Sequence, residues 1–383
     1  MTEFELFFFF AVVLLAYSYA GYPLLLLALS SLRPKENRPA PESFPYSVSI
    51  ILSAYNEEDT IKQKIDNFLQ LDYPSDKLEL VIVSDGSTDK TNEIVLSYKY
   101  KNIKVIVRPE RRGKTPALNR AVREARGEIL VFTDVDTMFP KDAMKNLIRH
   151  FARENVGLVT GTTRYMTKIS ADVPTNNAYW RYEDLLKRLE SQVGDVVGAS
   201  GSVYALRKDL YRELPPEIIN DFVHPIEVVL QGYRAIFDPN IICYEEAAAG
   251  TGQEYSRQVR MVGQAFLIYR RYFFDLLRRG KILYAFLLTS HKFLRWLTLP
   301  LMVAVLVFNL VLWEEGWIYP TLGMLQVAFY SLVLLGPIFR GIGLDNRMFI
   351  IPFDFCFMNL AGAVGLYSSL SGGASVLWEK QRT

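Results

Sequence analysis

The sequence has 383 residues, 50% of them hydrophobic, a mean hydropathy of +0.10 and a formal charge of +2. A charge so near zero gives no field for nucleic acid, and no nucleic-acid partner is expected. The only cysteines, Cys243 and Cys356, exclude a disulfide framework or a thiolate zinc site; His150, His224 and His291 are too scattered for a histidine metal cluster. A metal would have to be held by carboxylates, which favours Mg2+ or Mn2+.

The chain opens on FELFFFFAVVLLAYSYAGYPLLLLALSSL, residues 4–32, longer than the roughly 20 residues a spanning helix needs. Glu3 and Glu5 precede it, where a cleaved signal would carry basic residues, so it reads as an anchor, residues 1–32. Arg33, Lys35 and Arg38 follow, which puts the bulk of the chain on the cytoplasmic side of a plasma membrane.

From 46 to 255 strand-like runs alternate with helical ones: YSVSIILSAY then NEEDTIKQKIDNFLQL, LELVIVSDGS then TDKTNEIVLSYKY, NIKVIVRPE then KTPALNRAVREAR, and the strand GEILVFTDVDT. Near-continuous apolar, β-branched runs are strands buried on both faces, and the alternation predicts an α/β domain on a doubly wound, mostly parallel sheet. Ligands of such sheets bind at the carboxyl ends of the strands. That rule selects Tyr55 and Glu57, then Asp85, then Asp134 and Asp136. Alternate strand residues face opposite ways, so Asp134 and Asp136 can serve one ligand only if the chain turns there.

Residues 256–292 are expected to be interfacial: QAFLIYRRYFFDLLRRGKI, 264–282, interleaves aromatic and basic residues as a helix lying on membrane lipid does. Residues 293–383 form the C-terminal membrane region, with spans near 294–313 and 317–339. A further apolar stretch, 349–370, contains Pro352, Asp354 and several glycines, and either spans or lies re-entrant. Two phosphate motifs are excluded: RRGKT has Arg108 where a P-loop needs its first glycine, and GTGQEY ends on Tyr255 where the dinucleotide fingerprint needs Gly.

In order along the chain, SAYNEE, SDGSTD, RRGKTPALN, TDVDT, GASGSVYALRK, INDF, RQVRMVG and WEKQR resemble the membrane-integrated family-2 glycosyltransferases, the processive polysaccharide synthases that include cellulose, chitin and hyaluronan synthases. The resemblance implies a GT-A-type domain with transmembrane and interfacial helices. It implies inverting, Mg2+- or Mn2+-dependent transfer from a nucleotide-sugar donor, a UDP-sugar, to a hydroxyl of a polysaccharide or lipid-linked acceptor. The spans would form the acceptor path, alone or as a homo-oligomer. The alternative within the same fold is a polyprenyl-phosphate glycosyltransferase.

By that resemblance Asp221 is the catalytic base, Asp136 the metal ligand and Asp134 a ribose contact. Asp85 reads the base, Tyr55 and Glu57 floor the nucleotide pocket, and Lys114 meets phosphate or donor sugar. Arg257, Gln258 and Arg260 hold the leaving diphosphate, Gly201 and Ser202 line the acceptor entrance, and Trp378 belongs to a gating segment over the nucleotide. Such a gate requires a cytoplasmic C-terminus, so 349–370 is expected not to cross. Three positions depart from the family pattern: Ser84 and Asn220 stand where relatives have acids, and Met261 where tryptophan is usual.

Overall fold

The computed structural model describes residues 2–33, 46–166, 178–246, 251–342 and 346–371. These fall into two compact units: an α/β unit of residues 26–246 and 271–285, and a helical unit of residues 2–25, 251–270 and 286–371.

The α/β unit is built on a seven-stranded sheet: β1 (Val48–Ala54), β2 (Leu78–Asp85), β3 (Ile103–Arg108), β4 (Ile129–Phe132), β5 (Val156–Met166), β6 (Tyr204–Arg207) and β7 (Arg234–Glu246). Its order is β3-β2-β1-β4-β6-β5-β7. The β1, β2, β3 and β4 pairings are parallel, β6 runs antiparallel to both β4 and β5, and β7 is parallel to β5. Six strands therefore point one way and β6 alone points back. All eight residues of β2 are buried, as expected of a strand covered on both faces. One covering helix, Ile61–Leu69, buries Ile61, Lys64, Ile65 and Phe68, the i, i+3, i+4, i+7 stripe of a core-facing helix, with a lysine in the stripe.

The directions decide what meets at one edge. The carboxyl ends of β1, β2, β4 and β7 arrive there together, and so does the start of the reversed strand β6, with its 200–203 turn. The expected strand GEILVFTDVDT is shorter than its sequence suggests. It stops at Phe132, and the chain turns through the residues that follow, which lets the two aspartates leave the strand's alternation.

Among the described residues three helices are long and apolar enough to cross a membrane: Glu3–Ser31, Ile318–Gly341 and Arg347–Leu370. A bent pair, Ile282–Trp296 and Thr298–Val311 at 59°, makes a fourth if it counts as one span. The expected span near 294–313 is thus the second limb of a broken helix. The stretch 349–370 lies in one continuous helix, Arg347–Leu370, that runs through Pro352. Asp354, the charged residue within it, takes the Arg340 guanidinium at 2.9 Å. Phe10 (60% exposed), Met324 (62%) and Leu334 (75%) turn outward, the inverse of a water-facing helix and the pattern of a lipid-facing one. The amphipathic stretch expected at 264–282 belongs to a longer helix, Thr251–Arg278, which also carries RQVRMVG.

Candidate active site

Three loops at the carboxyl edge are sewn together by their own polar groups. After β1, Asn56 adopts a positive φ of 53°, and its side-chain carbonyl accepts from Thr88 N at 2.8 Å. Glu57 N donates to Thr91 Oγ1 at 2.7 Å, and Thr60 Oγ1 donates to the buried Glu57 carboxylate at 2.8 Å. After β2, Asp85 is buried and accepts from Gly113 N at 2.7 Å and Arg112 N at 3.0 Å. Arg108 lies against its other oxygen at 3.0 Å. Gly86 has φ +71° and lies so close to the next loop that a Cβ would sit 2.4 Å from Arg111 N, so only glycine fits. The Arg111 guanidinium covers the Tyr55 ring at 3.8 Å. Asp85 thus fixes the loop that carries Lys114, the first residue of the helix Lys114–Glu124.

The next group is acidic. Asp134, Asp136 and Glu245 bring one carboxylate oxygen each to within 4.8 Å of one another, all three half-buried. Glu245 comes from the end of β7, delivered by a bridge between Met138 and Tyr244 whose two backbone hydrogen bonds are 2.8 and 2.9 Å. Thr137 Oγ1 and Ser202 Oγ both donate to Glu245 Oε1, at 3.1 and 2.9 Å. Three hard oxygen donors at this spacing fit a divalent cation of the Mg2+ or Mn2+ kind, and among the described residues the group includes no thiol or imidazole. Lys114 Nζ donates to Asp134 Oδ1. Burial opposes the charge on Lys114, but Asp134, Asp221 and Asp136 outweigh it and hold the amine above its ordinary range.

Asp221 stands in the first turn of the helix Asn220–Leu230, where a carboxylate is favoured by the helix dipole. Thr115 Oγ1 donates to Ile218 O at 2.7 Å, tying the Lys114 helix to the approach to Asp221. A Cβ on Gly201 would come within 2.9 Å of Asp221 Oδ2, so the glycine leaves the face of that carboxylate open. His224 cannot share a proton-transfer role: burial pulls its pKa down to about 3, and it packs among Phe132, Tyr204 and Tyr211 with Nδ1 on the Tyr204 hydroxyl at 3.0 Å.

The sheet edge therefore gathers Tyr55, Glu57, Asp85, Lys114, Asp134, Asp136, Gly201, Ser202 and Asp221 in one unit. Ser202, expected at the acceptor entrance, spends its hydroxyl on Glu245. Arg257, Gln258 and Arg260 lie on the helix Thr251–Arg278, within the helical unit, where Arg257 faces Glu254 at 3.6 Å. Trp378 lies outside the described residues.

Two residues escape a reading of the sequence. Glu245 carries no motif, and its only signal is a carboxylate at the end of an apolar strand, IICYEE. Lys64 is 1% exposed; its ammonium donates to Thr133 Oγ1 at 3.0 Å and to Thr137 O, and lies 4.4 Å from the Phe139 ring centre. Its signal was the lysine inside the apolar stripe of its helix.

Comparison with known proteins finds a family match over part of the chain. Residues 49–214 match the family described as Glycosyl transferase family 2. The chain is 28% identical over 239 residues to the poly-beta-1,6-N-acetyl-D-glucosamine synthase of Staphylococcus aureus strain MSSA476, across 60% of this chain and 57% of that one. It is 26% identical over 263 residues to the synthase of the same name from Staphylococcus epidermidis, across 66% and 63%. The chain thus spans less than two thirds of the length of these relatives. Among solved structures, the mannosyltransferase PcManGT of Pyrobaculum calidifontis, in complex with GDP-Man and Mn2+, superposes with a TM-score of 0.71 at 25% identity, covering 95% of this chain and 99% of that one. The sheet is accordingly of GT-A type, and residues 49–214 match the glycosyltransferase family 2 model.

Proposed function

We propose that this protein is an inverting, metal-assisted membrane glycosyltransferase that moves a sugar from a nucleoside-diphosphate sugar to a hydroxyl of a growing polysaccharide or glycolipid. The observation that carries the reading is the convergence of Asp134, Asp136 and Glu245 on one point at the carboxyl edge of the sheet. Lys114 borders that point, and the helix that begins at Lys114 is tied to the segment bearing Asp221. The poly-N-acetylglucosamine synthases are relatives in sequence, and the mannosyltransferase, a neighbour in structure, binds GDP-Man with Mn2+. Both support a nucleotide-sugar donor.

A divalent cation held by Asp136 and Glu245, when bound, would neutralise charge on the departing diphosphate. The chain's own groups do the rest. Asp134, paired with Lys114, is assigned to the ribose side of the donor. Lys114, kept protonated by its acidic neighbours, faces phosphate. Asp221 accepts the proton of the acceptor hydroxyl as that oxygen attacks the anomeric carbon; the sugar–phosphate bond breaks, and the nucleoside diphosphate leaves with the bonding pair. Gly201 gives the acceptor room beside Asp221. Arg257, Gln258 and Arg260 are assigned to the leaving diphosphate. Tyr55 and Glu57 belong to the nucleotide floor, and Asp85 sets the loop above it. The apolar helices hold the enzyme in the plasma membrane with the α/β unit cytoplasmic.

The test is product analysis on the detergent-purified chain with Mn2+ or Mg2+ and a panel including UDP-N-acetylglucosamine and GDP-Man. Nucleotide release with one donor and a ladder of products is expected. Release only when a polyprenyl phosphate is supplied would make the acceptor a phosphate and remove Asp221 from proton abstraction. No release with any donor, metal and acceptor would refute the reading.

A further inference from the structure

Beneath the acid cluster lies a group that the reaction does not use. Lys64 comes from the helix Ile61–Leu69, on the face packed against the sheet, and is 1% exposed. A buried ammonium is costly, and chains keep one only where something answers its charge. Here the hydrogen-bond partners are Thr133 Oγ1 and Thr137 O, the two ends of the turn that carries Asp134 and Asp136. The Phe139 ring closes one side. Burial draws the amine down to about 8, and among the neighbours that oppose it are Cys243, Asp136, Asp134 and Glu245.

We propose that Lys64 is a positioning residue for the metal site, a built-in counter-charge that holds the three carboxylates together when no cation is bound and keeps their affinity for a bare divalent ion low. This rests on the metal-assisted reading above. Three like charges within 4.8 Å repel one another, and an empty site would open unless a cation stood nearby. Lys114 answers Asp134 on the exposed side; Lys64 supplies a second cation from inside the fold, where it cannot leave. The same charge repels an incoming divalent ion. The ion then binds well only with a diphosphate, whose negative charge offsets the lysine. Metal and nucleotide would arrive and depart as a pair, so product release would not strand a tightly held cation on the enzyme.

The experiment measures Mn2+ binding to the full chain in detergent by the EPR signal of free Mn2+, alone and with UDP or GDP. Lys64→Gln removes the charge while its amide offers both N–H groups to Thr133 and Thr137. The wild type should bind Mn2+ at least tenfold more tightly with a nucleoside diphosphate than without. Lys64→Gln should bind bare Mn2+ about tenfold more tightly than the wild type, with a narrower gap between the two conditions, since one unit of charge beside a divalent ion is worth about that much or more. Bare-ion affinity in Lys64→Gln equal to or weaker than wild type overturns the proposal. If that variant does not fold, the wild type decides: equal affinity with and without nucleotide overturns it, and a tenfold gap supports it. Asp136→Asn, measured alongside, should lose Mn2+ in both conditions. Unchanged binding there overturns the metal-site reading itself, whereas loss there with an unaltered Lys64→Gln overturns only the role of Lys64.

Discussion

Two acidic regions share the carboxyl edge of the sheet and treat their charge in opposite ways. At the end of β2, Asp85 is buried, and its carboxylate is taken up by Arg112 N, Gly113 N and Arg108. At the ends of β4 and β7, Asp134, Asp136 and Glu245 press three carboxylates within 4.8 Å of one another. The first arrangement stabilises a loop. The second stores repulsion, which is worth keeping only if a ligand relieves it. A carboxylate at a strand end is therefore read with its neighbours: Asp85 meets backbone N–H groups and an arginine, whereas Asp134, Asp136 and Glu245 meet one another as well as their donors.

The comparison breaks most readily at Asp136. Asp136→Ala should lower kcat by about a thousandfold or more, in the range seen when charge stabilisation at a reacting centre is lost, while leaving the melting temperature unchanged or higher. A lower melting temperature would place Asp136 with Asp85, as architecture. Asp221→Asn should cost about 10²–10⁴ in kcat with donor KM little altered, the scale of a lost general base. Steady-state kinetics checks it, and an unaltered kcat removes Asp221 from proton transfer. Glu245→Gln should weaken Mn2+ binding by about 10–100-fold, read by EPR, again without loss of stability. Asp85→Ala should behave in the opposite sense, destabilising the α/β unit by about 1–3 kcal/mol in urea or thermal melts through the backbone groups it leaves unpaired. Its effect on kcat should be smaller than that of Asp136→Ala.

The smallest effect concerns pH. His224 is pulled by burial to about 3 from an ordinary 6.5. Between those values the unfolded chain takes up a proton that the fold refuses. Its contribution is thus fully present above pH 6.5 and is lost as pH falls toward 3. His224→Phe should flatten the loss of stability between pH 7 and pH 5 relative to wild type, in paired melts; identical slopes would mean that the imidazole is protonated in the fold.

Much of this was legible in the chain. The strands of the soluble middle declared themselves through β-branched runs, and the strand-end places of Asp134 and Asp136 followed from them; Asp221 was singled out only by the family resemblance. Glu245 was hidden because its partnership with Asp136 depends on strand order: β7 reaches the edge only because β6 reverses and β5 returns. Lys64 was hidden because a lysine in a helix is ordinarily solvated, and only the spacing of Ile61, Ile65 and Phe68 reveals that it faces inward. The helix Thr251–Arg278 was read in pieces because Gly252, Gly263 and its arginines interrupt the apolar pattern. Arg347–Leu370 was ambiguous in the sequence because of Pro352 and Asp354; the helix continues through the proline, and the aspartate pairs with Arg340.

The long reach from Asp136 to Glu245 also orders events at the ribosome. The two acids lie about 110 residues apart, roughly 5–20 s of synthesis. Until β7 is made and docked, the growing chain has six of the seven strands but an incomplete acid cluster. A nascent or truncated chain ending before Glu245 would have no full seat for the cation, and so could not consume activated sugar. On the proposed function, completion of the acid cluster would be a checkpoint on the α/β unit, passed only when its last strand is in place.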